Sequence, residues 1–153
     1  MRIALGSDHA GYDMKTVLAK SLTDWGQETL DRGTDNGTDS VDYPDFGVSV
    51  GRSVTSGVCD FGIAICGTGI GMSIAANKVP GVRAAVVHDV TSAHLAREHN
   101  HANVLCLGAR VLGPVVAVEA VAAWLNAIPG DGRHVTRIAK LDELDEHLVD
   151  DER

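Results

Sequence analysis

Phe61-Gly62-Ile63-Ala64-Ile65-Cys66-Gly67-Thr68-Gly69-Ile70-Gly71-Met72-Ser73-Ile74-Ala75-Ala76-Asn77-Lys78 is where the reading of this chain begins. Phe61 to Ile65 is a short apolar run of the kind a buried strand makes, and Met72 to Lys78 suits a helix. A thiol therefore sits where a strand ends and a glycine-rich turn opens a helix. Glycines let the backbone approach an anion closely, and their N–H groups together with the helix dipole favour negative charge. Helix N-termini are also the setting of reactive cysteines. Position alone leaves two readings of Cys66 open: a base beside an oxyanion cradle, or a small buried hydrophobe. Cys59 and Cys106 lack that setting and read as packing residues.

On either side of this stretch, β-like runs alternate with helical patterns. Arg2–Leu5, Glu28–Asp31, Phe61–Ile65, Arg83–Val87 and Val104–Leu107 read as strands. Helical periodicity covers about 11–25, 43–57, 70–78, 90–100 and 114–127. Alternation of this kind needs crossover connections, hence an α/β fold with a parallel sheet and helices on both faces. Ligands bind such sheets at the carboxyl ends of the strands. Ser7-Asp8-His9, Cys66 to Gly71 and Gly108-Ala109-Arg110 all follow strand ends, so they are expected at one site. From Arg133 onward a further helix is predicted, with Ile138, Leu141, Leu144 and Leu148 near one face. That stripe is expected to dock on the chain's own body or on a second subunit.

The chain has 153 residues, enough for one domain with a core of its own. A formal net charge of −8 argues against a general binder of nucleic acid or membrane surfaces. Anionic substrates stay open, because a local basic pocket outweighs the total. Three cysteines without C-x-x-C spacing suggest reduced thiols in a cytoplasm rather than a disulfide framework. The N-terminus enters a strand-like run without a signal-peptide layout, and no apolar run approaches spanning length.

Other residues with chemistry carry competing readings. Gly67-Thr68-Gly69-Ile70-Gly71 resembles a dinucleotide fingerprint, with Asp89 about 20 residues on as a ribose-binding acid. The spacing is G-x-G-x-G rather than G-x-G-x-x-G, however, and it lies in the third strand–helix unit. Asp8-His9 suits an anionic ligand beside a helix start, or is an N-cap pair. Asp35, Asp39, Asp42 and Asp45 scatter evenly through a polar loop, which favours solvation over a metal. His94 and His99, five apart, suit one helix face poorly, so zinc is not expected and one functional histidine at the helix end is. Arg133 and Arg137 are four apart on a predicted helix and share a face. Two guanidiniums there suit a phosphate, or form a solvated basic turn before an acidic tail.

Taken in order, several segments resemble the type B ribose-5-phosphate isomerase family, which includes allose- and galactose-phosphate isomerases. They are Gly6-Ser7-Asp8-His9-Ala10-Gly11, Asp42-Tyr43-Pro44, Cys66 to Gly71, Ala75-Ala76-Asn77-Lys78, Arg97-Glu98-His99-Asn100, Gly108-Ala109-Arg110 and Gly132-Arg133-His134-Val135-Thr136-Arg137. The resemblance implies a three-layer α/β/α sandwich on a Rossmann-like, five-stranded parallel sheet. Residues 1–153 would form a single sugar-phosphate isomerase domain, with a helical tail at about 133–150 packed on a partner subunit. Homodimers or dimers of dimers are implied, their active sites shared between subunits.

The resemblance also implies roles. Cys66 would be the base, because the position after the glycines, a glutamate in a second branch, is here Met72. His99 would open the sugar ring, and Thr68 and Asp8 would complete the catalytic set. Asp8, His9, Tyr43, Gly67, Thr68, Gly69, Ile70, Gly71, Asn100, Arg110, Arg133 and Arg137 would bind substrate. The implied reaction interconverts ribose 5-phosphate and ribulose 5-phosphate, a step of the pentose phosphate pathway, with no metal or organic cofactor. Allose 6-phosphate, galactose 6-phosphate or a tetrulose 4-phosphate are the alternative substrates. A nucleotide-binding module is the alternative outside enzymes.

Overall fold

The computed structural model describes the backbone of residues 1–150 and the side chains of residues 1–145. Five strands, β1 (Arg2–Ser7), β2 (Glu28–Asp31), β3 (Phe61–Cys66), β4 (Ala84–Val86) and β5 (Val104–Gly108), form one parallel sheet in the order β2-β1-β3-β5-β4. The helices are α1 (Tyr12–Asp24), α2 (Tyr43–Thr55), α3 (Ile70–Ala76), α4 (Val90–Asn100), α5 (Pro114–Asn126) and α6 (Arg133–Asp150). This is the three-layer α/β/α arrangement expected. Most boundaries shift from the expected ones by only one or two residues, and two of the differences have a visible cause or form. The first helix is preceded by a 3-10 turn at His9–Gly11. β4 is only three residues long, because the Arg83 N–H leaves the ladder to donate to Asn103 Oδ1 at 2.8 Å.

Strand order determines which face each helix covers. Right-handed crossovers that step one way across the sheet, β1 to β2 and β4 to β5, put α1 and α4 on the same face. The opposite steps, β2 to β3 and β3 to β4, put α2 and α3 on the other. Strand side chains sort accordingly. Ile3, Leu5, Ile63, Ile65, Leu105 and Leu107 face Leu18 and Leu22 of α1 and Trp124 of α5. Ala4, Ala64, Cys66, Val104 and Cys106 face Val50 of α2 and Met72 of α3. The second face is built of small residues so that α2 can lie close. A Cβ on Gly62 would stand 2.5 Å from Val50 Cγ1.

Candidate active site at the carboxyl edge of the sheet

β1 and β3 are neighbours, yet the chain leaves β1 for one side of the sheet and reaches β3 from the other. Such a switch point opens a crevice at the carboxyl ends of the two strands. Cys66 is the last residue of β3 and is 5% exposed. The Gly69 N–H donates to Cys66 Sγ at 3.1 Å, tying the sulfur to the turn that opens α3. Gly69 has φ of 79°, a left-handed conformation that a side chain resists. Gly108 lets that turn pass β5, since a Cβ there would come within 2.6 Å of the Thr68 carbonyl. The exposed Thr68 accepts from the Ile70 N–H through Oγ1 at 3.3 Å.

The flanks of the crevice come from the neighbouring strands. Asp8 follows β1, is 7% exposed, and accepts the Gly11 N–H through Oδ1 at 3.0 Å. It is thus the cap of the 3-10 turn as well as a site candidate. His9 is half-buried and accepts the Val41 N–H on Nδ1 at 3.2 Å. From the start of α2 the Tyr43 ring lies against Gly71, so close that a Cβ there would be 2.7 Å from the ring. After β5 the Arg110 N–H donates to the Gly67 carbonyl at 2.9 Å, and its side chain runs beside Gly67. Met72, the residue after the glycines, is fully buried against α2, its sulfur beside Gly47. The Cys106 thiol is pushed up by complete burial, and Cys59 is raised by burial too, so both serve as neutral packing groups.

His99, Asn100, Arg133 and Arg137 lie elsewhere. α4 runs from the carboxyl end of β4 back to the amino end of β5, so its last residues, His99 and Asn100, sit at the amino edge. Cys66 is level with Gly108, four residues along β5 from Val104, which separates the two groups by about 13 Å or more. α6 begins at that same amino edge. The Gly130 N–H donates to the Glu98 carbonyl at 2.8 Å, and His101 Nε2 meets the Gly130 carbonyl at 2.8 Å. Arg133 and Arg137 are exposed there. The three strand-end segments meet at the carboxyl edge, and within one chain these four residues lie apart from them at the opposite edge of the sheet.

One member of the amino-edge group carried no assigned role in the sequence reading. The His134 ring stacks on His99 with centroids 4.6 Å apart and planes 8° from parallel. Its pKa is lowered, by loss of water around the ring and then by His99 and the two arginines. Its place in the segment Gly132-Arg133-His134 was the only signal. Asp89, weighed above as a ribose acid, instead caps α4, accepting the Ser92 N–H at 2.7 Å, and those bonds hold its carboxyl below the usual range. Among the described residues no three His, Cys, Asp or Glu side chains converge as a metal site. No helix among them is long and apolar enough to cross a membrane.

A cysteine and a turn of glycine amides at the switch point of a parallel sheet make an α/β crevice suited to an anionic ligand. Residues 3–141 match the ribose/galactose isomerase family, and the chain belongs to it. It is similar to the ribose-5-phosphate isomerase B of Clostridium thermocellum, with 51% identity and a TM-score of 0.94 over 97% of this chain and 99% of that one. It is 42% identical to ribose-5-phosphate isomerase B of Escherichia coli over 95% of this chain and 97% of the relative. It is 40% identical to D-erythrulose-4-phosphate isomerase of Pectobacterium atrosepticum over 92% and 93%. The activity is that of an aldose–ketose isomerase.

Proposed function

We propose that this enzyme interconverts ribose 5-phosphate and ribulose 5-phosphate through an enediolate, at a site that two copies of the chain build together. The observation that carries the chemistry is the Cys66 thiol at the switch point, with the Gly69 N–H held 3.1 Å from its sulfur. Cys66 takes the C2 proton of the open-chain aldose and returns it to C1. The N–H groups from Gly67 to Gly71 hold the developing oxyanion, where one such donor contributes about 3 kcal/mol. The Thr68 hydroxyl relays the proton between O2 and O1, and Asp8 receives the hydroxyl proton as the furanose opens.

His99, from the second copy, gives its proton to the ring oxygen. Arg133 and Arg137 hold the phosphate, aided by His9, Asn100 and Arg110. A shared site is supported by the split between edges: a lone chain holds its base and its arginine pair at opposite ends of the sheet. The tail supports it too. Ile138 is covered, while Leu141 and Leu144 are 46% and 61% exposed, apolar surface for a partner; the Leu148 side chain lies outside the described residues. On this reading residues 1–153 are one domain, and three free thiols suit a reducing cytoplasm. The reaction belongs to pentose phosphate metabolism.

Proton NMR of ribose 5-phosphate with the enzyme in deuterated water is the test. Loss of the C2 proton as ribulose 5-phosphate appears is expected. No exchange, with the enzyme folded and its thiols reduced, would overturn the pentose assignment and turn the search to a tetrulose 4-phosphate.

A further inference from the structure

Lys15 is a buried cation on the first turn of α1, with a side chain 3% exposed. Its ammonium donates to Asp31 Oδ1 at 2.6 Å, to Asp31 Oδ2 at 2.8 Å and to the Thr34 carbonyl at 2.6 Å. Asp31 Oδ1 also accepts the Gly33 N–H at 2.8 Å. A buried charge is tolerated only when paired and fully hydrogen-bonded, so these contacts hold residues 31–34 in one place. That place continues the sheet: Ser7 N–H donates to the Gly33 carbonyl at 2.7 Å and Thr34 N–H to the Ser7 carbonyl at 2.6 Å. The next residue after Ser7 is Asp8.

From Thr34 the chain forms a strap that passes Tyr12 and His9 and enters α2 at Tyr43. Asn36 gathers its first half, accepting the Thr38 N–H at 3.0 Å and the Asp39 N–H at 2.9 Å through Oδ1. Its far end meets the site where the Val41 N–H donates to His9 Nδ1. A backbone amide can only donate, so Nδ1 must present its lone pair. In the neutral ring the proton then resides on Nε2. The strap therefore sets both the direction of the His9 ring and its tautomer, leaving Nε2–H as a donor of the kind an anionic oxygen accepts.

We infer that Lys15 and Asp31 are positioning residues for substrate binding: they anchor the 34–42 strap so that Val41 locks His9 as an Nε2–H donor toward the substrate phosphate. Neither residue touches substrate in this scheme. The phosphate part rests on the function proposed above, whereas the lock on His9 does not.

Two variants test the scheme from opposite ends of the strap. Lys15→Met keeps the length of the side chain and removes the anchor, and Val41→Pro keeps the anchor and removes the N–H. Nitrogen-15 NMR of imidazole-labelled enzyme without substrate, with the His9 signals assigned by His9→Asn, should show a single Nε2–H tautomer in the native protein. Both variants should show a mixture. Both should raise KM for ribose 5-phosphate about 10-fold with kcat within about 3-fold, since Cys66 stands on a separate strand. A purely structural role would lower the active fraction and leave KM alone. If Lys15→Met fails to fold, Asp31→Asn, at a largely solvated position, takes its place with the same readouts. Unchanged His9 signals in folded variants would overturn the positioning role. A changed tautomer with unchanged KM would overturn the link to the phosphate while leaving the lock in place.

Discussion

The two edges of the sheet are built from different materials. At the carboxyl edge the chemistry is made of short groups on rigid backbone: the Cys66 sulfur, the amides of a glycine turn, and the capped carboxyl of Asp8. At the amino edge it is made of rings and long cationic side chains, His99 stacked on His134 with Arg133 and Arg137 exposed beside them. The first set is held by strand pairing and by glycines that admit no Cβ. The second can adjust to a surface presented to it. A base and an oxyanion cradle need preorganisation, whereas a phosphate clamp tolerates closing on its ligand. The division teaches why one chain is an incomplete enzyme on the proposed reading.

The comparison is broken most directly at Cys66. Cys66→Ala should lower turnover about 10²–10⁴-fold with substrate affinity nearly intact, and retained turnover would remove the base from the carboxyl edge. His99→Asn should lower turnover of ribose 5-phosphate about 10²-fold yet spare a tetrose 4-phosphate, whose O4 is blocked and cannot close a furanose. Equal losses would argue against ring opening. Mixing these two inactive variants under subunit exchange should restore about a quarter of native activity, because half of the dimers would be hybrids with one intact site. No recovery in verified hybrids would mean that each chain works alone.

Smaller effects sharpen the contrast between a fixed edge and an adjustable one. Arg137→Ala should raise KM about 10- to 100-fold with little change in kcat, and an unchanged KM would dismiss the clamp. Gly108→Ala should do the reverse. Its Cβ would push the Thr68 turn away from Cys66, lowering kcat about 10-fold and stability by about 1–3 kcal/mol at unchanged KM. The smallest effect concerns His134, whose folded pKa is lowered. Its share of stability is complete above the ordinary histidine value of about 6.5 and declines as the pH falls through the lower folded one. Thermal melts should therefore show the native enzyme losing more between pH 7 and 5 than His134→Phe, and parallel curves would refute the stack.

Much of this was legible before any coordinates. All five strands and the main helices appear where alternating apolar runs, glycines and prolines put them, because those signals act over a few residues. Cys66 could be singled out for the same reason: a strand end, a glycine turn and a helix start are all local. The His9 tautomer was not legible, since its partner Val41 is thirty-two residues away in an irregular loop. The burial of Lys15 was not legible either, because nothing in its neighbourhood of sequence announces Asp31 and Thr34 as its ligands.

The amino-acid sequence by itself determined the elements, the parallel sheet they imply and the cysteine–glycine turn, since backbone propensity and hydrophobic period are properties of short segments. Tertiary structure alone decided that β5 inserts between β3 and β4, that large side chains line one sheet face and small ones the other, and that His99 and Cys66 face opposite ends. Those outcomes depend on which distant strands pair and on the hand of the crossovers between them, and no window of sequence contains both partners.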